Sequence, residues 1–272
     1  MIDIHTHILP GCDDGASSME ESLEMAAVAV QDGIRQVVAT PHEEAWGKTI
    51  DIQRVVAAVD DLRRAIADRG IDIEVLVGIE ALLAPDLPER LAQRRVLGIN
   101  EKRYVLVEVP FQLYPAFADQ TFFELQLRGI VPVLAHPERN AAVQRDPYIL
   151  EGPVSRGVMV QITAGSLLGA FGSKTRETAE TMLASNLAHV IASDAHSPEA
   201  RPPILSTAAR RAAELVGAER AEAMVSSVPK SIIIGERVEL PAPIRQKARK
   251  GWPFPQSALQ RGKGWGGWRR SQ

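Results

Sequence analysis

The residues of this chain that can bind cations or move protons gather in short segments, most of them just after a run of apolar residues. His5-Thr6-His7 and then Asp13-Asp14 follow the first run, Met1–Ile4. His42 follows Gln36–Thr40, Glu80 follows Ile73–Ile79, and Glu108 lies near the end of Tyr104–Val109. His136 and Arg139 follow Val131–Ala135, and Asp194-Ala195-His196 follow His189–Ala192. Five of the six histidines sit in such places, and the sixth, His189, starts a run instead. His5 and His7 are two residues apart, so an extended segment points both side chains the same way. Carboxylates gathered this closely repel one another unless cations neutralise them. A cluster of divalent ions shared among imidazoles and carboxylates resolves that repulsion, and its natural chemistry is metal-assisted hydrolysis.

Each residue alone has a blander reading. A histidine after a strand is commonly a structural hydrogen-bonding group, a lone glutamate is commonly solvated or ion-paired, and Asp13-Asp14-Gly15 is an ordinary turn signal. The joint pattern is what favours metal binding, and position alone does not choose between Asp13 and Asp14. Arg139 and Arg201 follow the last two histidine loops. The guanidinium fork suits the oxygens of a phosphate; the alternative is a surface arginine or one paired with an acid such as Glu138 or Glu108. Cys12 lies beside the cluster, but a cysteine phosphatase needs an arginine six residues on, and that position holds Ser18. Cys12 therefore reads as a packing residue. No glycine-rich nucleotide loop follows a strand.

Side chains so far apart in sequence can meet only if the fold converges them. Short apolar runs alternate with helical stretches, the pattern of βα units and a parallel sheet. Strands are expected at the runs above and at Val158–Ile162. Helices are expected at 18–31, where Ser18 and Glu21 form a capping box, and at 50–69, where Val55, Val56, Val59, Leu62 and Ile66 recur at helical spacing. Further helices are expected at 86–95, 117–128, 175–185, 204–216 and 219–226. Seven strands with helices between them imply an α/β fold close to a (β/α) barrel, whose strand ends share one face.

A barrel of about 250 residues would fill most of the 272-residue chain. No apolar run approaches the roughly 18 residues of a membrane span, no signal peptide is apparent, and the single cysteine excludes an internal disulfide; a cytoplasmic protein is expected. The net charge of −3 is uneven. Residues 241–272 carry eight basic and no acidic side chains, which leaves −11 on residues 1–240. Residues 1–240 are therefore read as the catalytic domain. Residues 241–272, with three tryptophans among glycines, are read as a basic tail, unstructured when free, suited to an anionic membrane or an acidic partner.

Met1-Ile-Asp-Ile-His-Thr-His-Ile-Leu-Pro10, Asp13-Asp14-Gly15-Ala16, Ala39-Thr40-Pro41-His42, Gly78-Ile79-Glu80, Glu108-Val109-Pro110, His136-Pro137-Glu138-Arg139-Asn140, Ser193-Asp194-Ala195-His196 and Pro229-Lys230 together resemble the PHP (polymerase and histidinol phosphatase) superfamily. Within it they resemble the bacterial protein-tyrosine phosphatases of the CpsB/CapC type, which act beside tyrosine autokinases in capsule and exopolysaccharide synthesis. The similarity spans about residues 1–236 and stops before the tail. It implies a distorted (β/α)7 TIM-like barrel with three divalent metals, manganese by family habit, with iron or zinc also compatible with the donors. His5, His7, Glu80 and Asp194 would hold one metal. Glu80, as a bridge, would hold a second with Glu108 and His136. Asp14, His42 and His196 would hold the third, and Arg139 and Arg201 would bind phosphate. The expected substrate is phosphotyrosine on a protein, a membrane-associated autokinase, with no nucleic acid partner. Competing readings are a histidinol-phosphate phosphatase, a PHP nuclease, an amidohydrolase and a non-catalytic metal-stabilised binding module.

Overall fold

The computed structural model describes residues 1–45 and 47–245. Eight parallel strand segments form the barrel wall: β1 (Ile2–Thr6), β2 (Gln36–Ala39), β3 (Glu74–Val77), β4 (Glu80–Leu82), β5 (Tyr104–Glu108), β6 (Val131–Ala135), β7 (Met159–Thr163) and β8 (Val190–Ala192). β1, β2 and β3 make one sheet, and β4 through β8 make another. Two seams join them. At the first, Asp194 N donates to His5 O at 2.9 Å and His7 N donates to Ala195 O at 2.8 Å. At the second, Glu80 N donates to Pro41 O at 3.0 Å and Glu43 N donates to Glu80 O at 2.9 Å.

The seven expected strands are present, the third ending at Val77, and an unexpected eighth segment, β4, follows after a break. The break falls at Gly78-Ile79, where the chain leaves one sheet and enters the other. A Cβ on Gly78 would lie 2.9 Å from Val38 Cγ1, so only glycine lets the bent strand approach β2 this closely.

Strand alternation separates two apolar layers. Ile4, Val38, Leu76, Leu106, Val133, Met159 and Val190 belong to one buried cluster that lines the barrel. Their neighbours Val37, Val75, Val105, Leu134, Val160 and Ile191 belong to another, shared with the surrounding helices. Such two-sided burial is why these strands read as continuous apolar runs.

The main helices are α1 (Met19–Gln31), α2 (Ile52–Asp68), α3 (Leu87–Ala92), α4 (Ala118–Leu127), α5 (Ser173–Ala184), α6 (Ser206–Val216), α7 (Ala218–Ala223) and α8 (Ser227–Ile234). Ser18 caps α1, its Oγ accepting from Glu21 N at 3.3 Å. The reciprocal arm of the expected capping box is displaced: the Glu21 carboxylate accepts from Ser17 N at 2.8 Å. α2 buries Val55, Val59, Leu62 and Ile66, while Val56 stays exposed because it lies one position off that stripe. α8, absent from the sequence-based assignment, puts Ile232 and Ile233 into the barrel-lining cluster and packs against β1. It is short and apolar, without the periodic polar face that marks a helix in sequence.

No described helix is long and apolar enough to cross a membrane. The described chain follows the barrel past Leu240: Asn186 Nδ2 donates to Ala242 O, Ile244 N donates to Ser185 O, and Arg245 pairs with Glu151. The rest of the expected tail, residues 246–272, lies outside the described residues.

Candidate metal centre

Period-two alternation carries the barrel's inner face directly into the polar cluster. The inward series Leu76, Gly78, Glu80 runs through β3 to β4, Tyr104, Leu106, Glu108 through β5, and Val190, Ala192, Asp194 beyond β8. Two residues reach the cluster by breaking that period. In β1 the register slips between Asp3 and Thr6, which turns His5 inward after Ile2 and Ile4. His136 follows inward Ala135 directly and takes left-handed backbone at φ 34°. Asp194 is also left-handed, at φ 53°. Non-glycine residues in this region are strained and commonly mark functional sites.

The fold brings all nine proposed ligands to one rim. His5 Nε2 lies 3.2 Å from His7 Nε2, 3.3 Å from Glu80 Oε2 and 3.5 Å from Asp194 Oδ1. His7 Nε2 lies 3.4 Å from both of those oxygens. Glu80 Oε2 is also 3.0 Å from His42 Nδ1, and Oε1 is 2.8 Å from His136 Nε2. His42 Nδ1 lies 3.4 Å from Glu108. Asp14 Oδ1 lies 3.5 Å from His42 Nε2 and 3.4 Å from His196 Nε2. Three groups have ligand atoms close enough to share an ion: His5, His7 and Glu80; His42, Glu80 and Glu108; and His7, Asp14, His42 and His196.

These separations have a physical meaning. Two donors each about 2.1 Å from one ion in tetrahedral geometry stand about 3.4 Å apart. Among His5, His7, Glu80 and Asp194, five donor–donor separations fall between 3.2 and 3.5 Å. Glu80 is fully buried, and its Oε2 accepts no hydrogen bond. A buried carboxylate oxygen without a donor, facing several imidazoles, suits a cation. The donor set of nitrogens and oxygens fits manganese, iron or zinc alike.

The electrostatics agree. Burial alone would raise the carboxyl of Glu80, yet His5, His136 and His42 hold it well below the usual range. Asp194 is likewise buried and likewise held low by His5, His7 and His136. Burial works against protonated His42, but Glu108 and Glu80 push it up to about 10. Without metal, imidazolium protons balance the carboxylates; metal binding would release those protons.

Supporting groups fix the ligands' orientations. Asp13 Oδ2 accepts from His7 Nδ1 at 2.6 Å and from His42 N at 2.9 Å, while Oδ1 accepts from Gly15 N at 3.0 Å. Asp13 thus stands behind His7, whereas the more exposed Asp14 faces His42 and His196. A Cβ on Gly15 would lie 2.0 Å from His7 O, so the turn can fold over His7 only with glycine there. Gln161 Oε1 lies 3.0 Å from His5 Nδ1. Such partners set the tautomer and direction of ligating histidines. Gln161 was overlooked in sequence; its signal is a polar residue inside the otherwise apolar run Val158–Ile162.

Arg139 donates to Asp194 Oδ2 at 2.8 Å, and Arg201 lies 2.6 Å from the same oxygen. The acid paired with Arg139 is therefore Asp194, not Glu138 or Glu108. Glu138 instead turns inward and accepts from Thr163 N. The Arg139 guanidinium lies 4.6 Å from the Phe111 ring centroid and 4.5 Å from that of Phe171. Neither phenylalanine was singled out in sequence, because only the fold brings their loops to Arg139. Cys12 is buried, and burial raises its thiol pKa. His189, the histidine outside the cluster, accepts from Val160 N.

The fold and site define a class: a distorted (β/α) barrel whose rim gathers histidines and carboxylates in groups that could hold metal. Within that class, residues 1–234 match the family described as capsular polysaccharide synthesis, CpsB/CapC, and the chain belongs to it. It is 41% identical over 201 residues to tyrosine-protein phosphatase YwqE of Bacillus subtilis, covering 74% of this chain and 79% of YwqE. It is 35% identical to putative tyrosine-protein phosphatase CapC of Staphylococcus aureus, over 93% of this chain and 98% of CapC. A chain from the crystal structures of YwqE and of CpsB from Streptococcus pneumoniae, described as unique metal-dependent tyrosine phosphatases, superposes with a TM-score of 0.87 at 36% identity. That match covers 91% of this chain and all of the solved one.

Proposed function

We propose that this chain is a metal-dependent protein-tyrosine phosphatase. The observation that carries the reading is the set of 3.2–3.5 Å separations among His5, His7, Glu80 and Asp194, with Arg139 and Arg201 converging on the last of these. His5, His7, Glu80 and Asp194 would hold one ion, Glu80, Glu108 and His136 a second, and Asp14, His42 and His196 a third. Manganese is the proposed metal. When bound, such ions lower the pKa of an attacking water and polarise phosphoryl oxygens.

The remaining steps belong to the chain itself. Arg139 and Arg201 bind the phosphoryl oxygens through charge-assisted hydrogen bonds that strengthen as charge redistributes in the transition state. Asp13 and Gln161 hold His7 and His5 in place. A tyrosyl oxygen leaves as a phenolate of pKa about 10, so a strong general acid is not required.

The proposed physiological substrate is phosphotyrosine on a membrane-associated tyrosine autokinase that governs capsular or extracellular polysaccharide synthesis, and the proposed compartment is the cytoplasm. The basic stretch 241–272 is an appendage to catalysis that would favour anionic lipid or an acidic partner. Assay of the manganese-loaded protein on a phosphotyrosine peptide, histidinol phosphate and single-stranded DNA tests the reading. Turnover of the peptide well above the other two is expected. Preference for histidinol phosphate or DNA would overturn it, as would full metal loading with no hydrolysis.

A further inference from the structure

Phe111 lies at the rim on the loop that follows β5. Asn140, next to Arg139, donates through Nδ2 to Pro110 O at 2.7 Å and to Leu113 O at 2.9 Å, and Ala141 N donates to Phe111 O at 2.7 Å. These three bonds fasten the Phe111 loop to the Arg139 loop. The Phe111 ring rests against the Arg139 guanidinium and lies 5.7 Å from the His136 ring, yet 42% of the residue remains exposed. Phe171 differs. It is half-buried and lies near both arginines, 4.5 Å from Arg139 and 5.8 Å from Arg201.

The three bonds hold the partly exposed Phe111 ring at the rim, beside the arginine proposed to bind phosphate, where a ligand can reach it. Its open surface adjoins the guanidinium proposed to take the phosphoryl group, where the organic portion of a phosphate ester would lie. Aromatic faces and edges attract other aromatic rings more than they attract alkyl chains of similar size.

We propose that Phe111 is a specificity-determining residue, the wall against which the substrate's aryl ring packs while Arg139 holds the phosphate, and that Phe171 serves only to orient the arginines. The proposal rests on the phosphatase reading above and adds the source of its preference for an aryl ester.

Binding of inorganic phosphate, phenylphosphonate and hexylphosphonate to the metal-loaded protein, measured by calorimetry, tests this. Wild type should favour phenylphosphonate over hexylphosphonate. Phe111→Ala should weaken phenylphosphonate on the order of tenfold more than it weakens phosphate, and Phe111→Tyr should restore the aryl preference. Phe171→Leu should weaken all three ligands by a similar factor. Equal weakening of all three ligands by Phe111→Ala would show that Phe111 merely props Arg139, and would overturn the inference while leaving the phosphatase reading intact. A wild type that neither binds phosphate nor hydrolyses a phosphotyrosine peptide would overturn both.

Discussion

Replacing Glu80 with glutamine changes one oxygen to an NH2 group and little else in size. The site gives that oxygen unusual weight. Glu80 Oε2 lies between 3.0 and 3.4 Å from nitrogens of His5, His7 and His42, and Oε1 lies 2.8 Å from His136 Nε2. Either amide orientation would therefore remove one donor oxygen and, with the carboxylate's negative charge gone, weaken the attraction for both proposed ions, because a neutral amide nitrogen does not bind these cations. Losing a partner that only orients a ligand typically costs 10- to 100-fold in metal affinity or activity, and a bridging ligand should cost at least the upper end. The expected loss is thus at least about a hundredfold, or roughly 2.8 kcal/mol. Elemental analysis after dialysis, metal titration against a competing chelator, and turnover of a phosphotyrosine peptide should be measured on one preparation, with far-ultraviolet dichroism to confirm folding. A folded Glu80→Gln protein with full metal content and near-normal turnover would refute the bridging role and the donor-spacing argument with it.

Arg139→Ala should keep the metals but lose roughly 3–4 kcal/mol of transition-state stabilisation, about a hundred- to thousandfold in kcat, and Arg139→Lys should recover little; a fully metallated Arg139→Ala enzyme with unimpaired kcat would end the phosphate-clamp assignment. Cys12→Ser should retain most activity while chelation abolishes it, since the Cys12 thiol is buried with its pKa raised, and the opposite pair of results would replace the metal mechanism with a thiolate one. Burial, followed by the nearby Arg220 charge, lowers the pKa of His189 from 6.5 to about 3. The unfolded chain therefore takes up a proton on acidification before the fold does. The stability is present above the unfolded value of about 6.5 and is lost as pH falls toward 3, by up to about 1.4 kcal/mol per pH unit. Urea unfolding of metal-free protein at about pH 7 and 5 should show His189→Gln losing less stability than wild type by up to about 2 kcal/mol, and parallel losses would contradict this. Deleting residues 246–272, which contain no His, Asp or Glu, should leave hydrolysis of a small aryl phosphate nearly unchanged, and a folded truncation that lost its metals would place the tail in the site.

The sequence by itself determined the barrel and the membership of its polar rim. Parallel strands buried on both sides must be apolar along their length, so β2, β5 and β6 stand out as short runs, and the histidines and acids stand out by falling just after them. The helical stripe Val55, Val59, Leu62 and Ile66 was legible for the same reason. What the sequence could not contain was the consequence of register. A one-residue slip in β1 turns His5 inward, a left-handed turn brings in His136, and the break at Gly78 lets Glu80 bridge the two sheets. Those are outcomes of closing the barrel, not of local propensity. The same closure separated Asp13, behind His7, from Asp14, facing His42, although adjacent aspartates in a turn look alike in sequence. It also carried Phe111 and Phe171, sixty residues apart, onto one guanidinium. Residue type and spacing mark where a chain can do chemistry, because they follow the period of its strands; which atom faces which is decided only when strands distant in sequence pack into one wall.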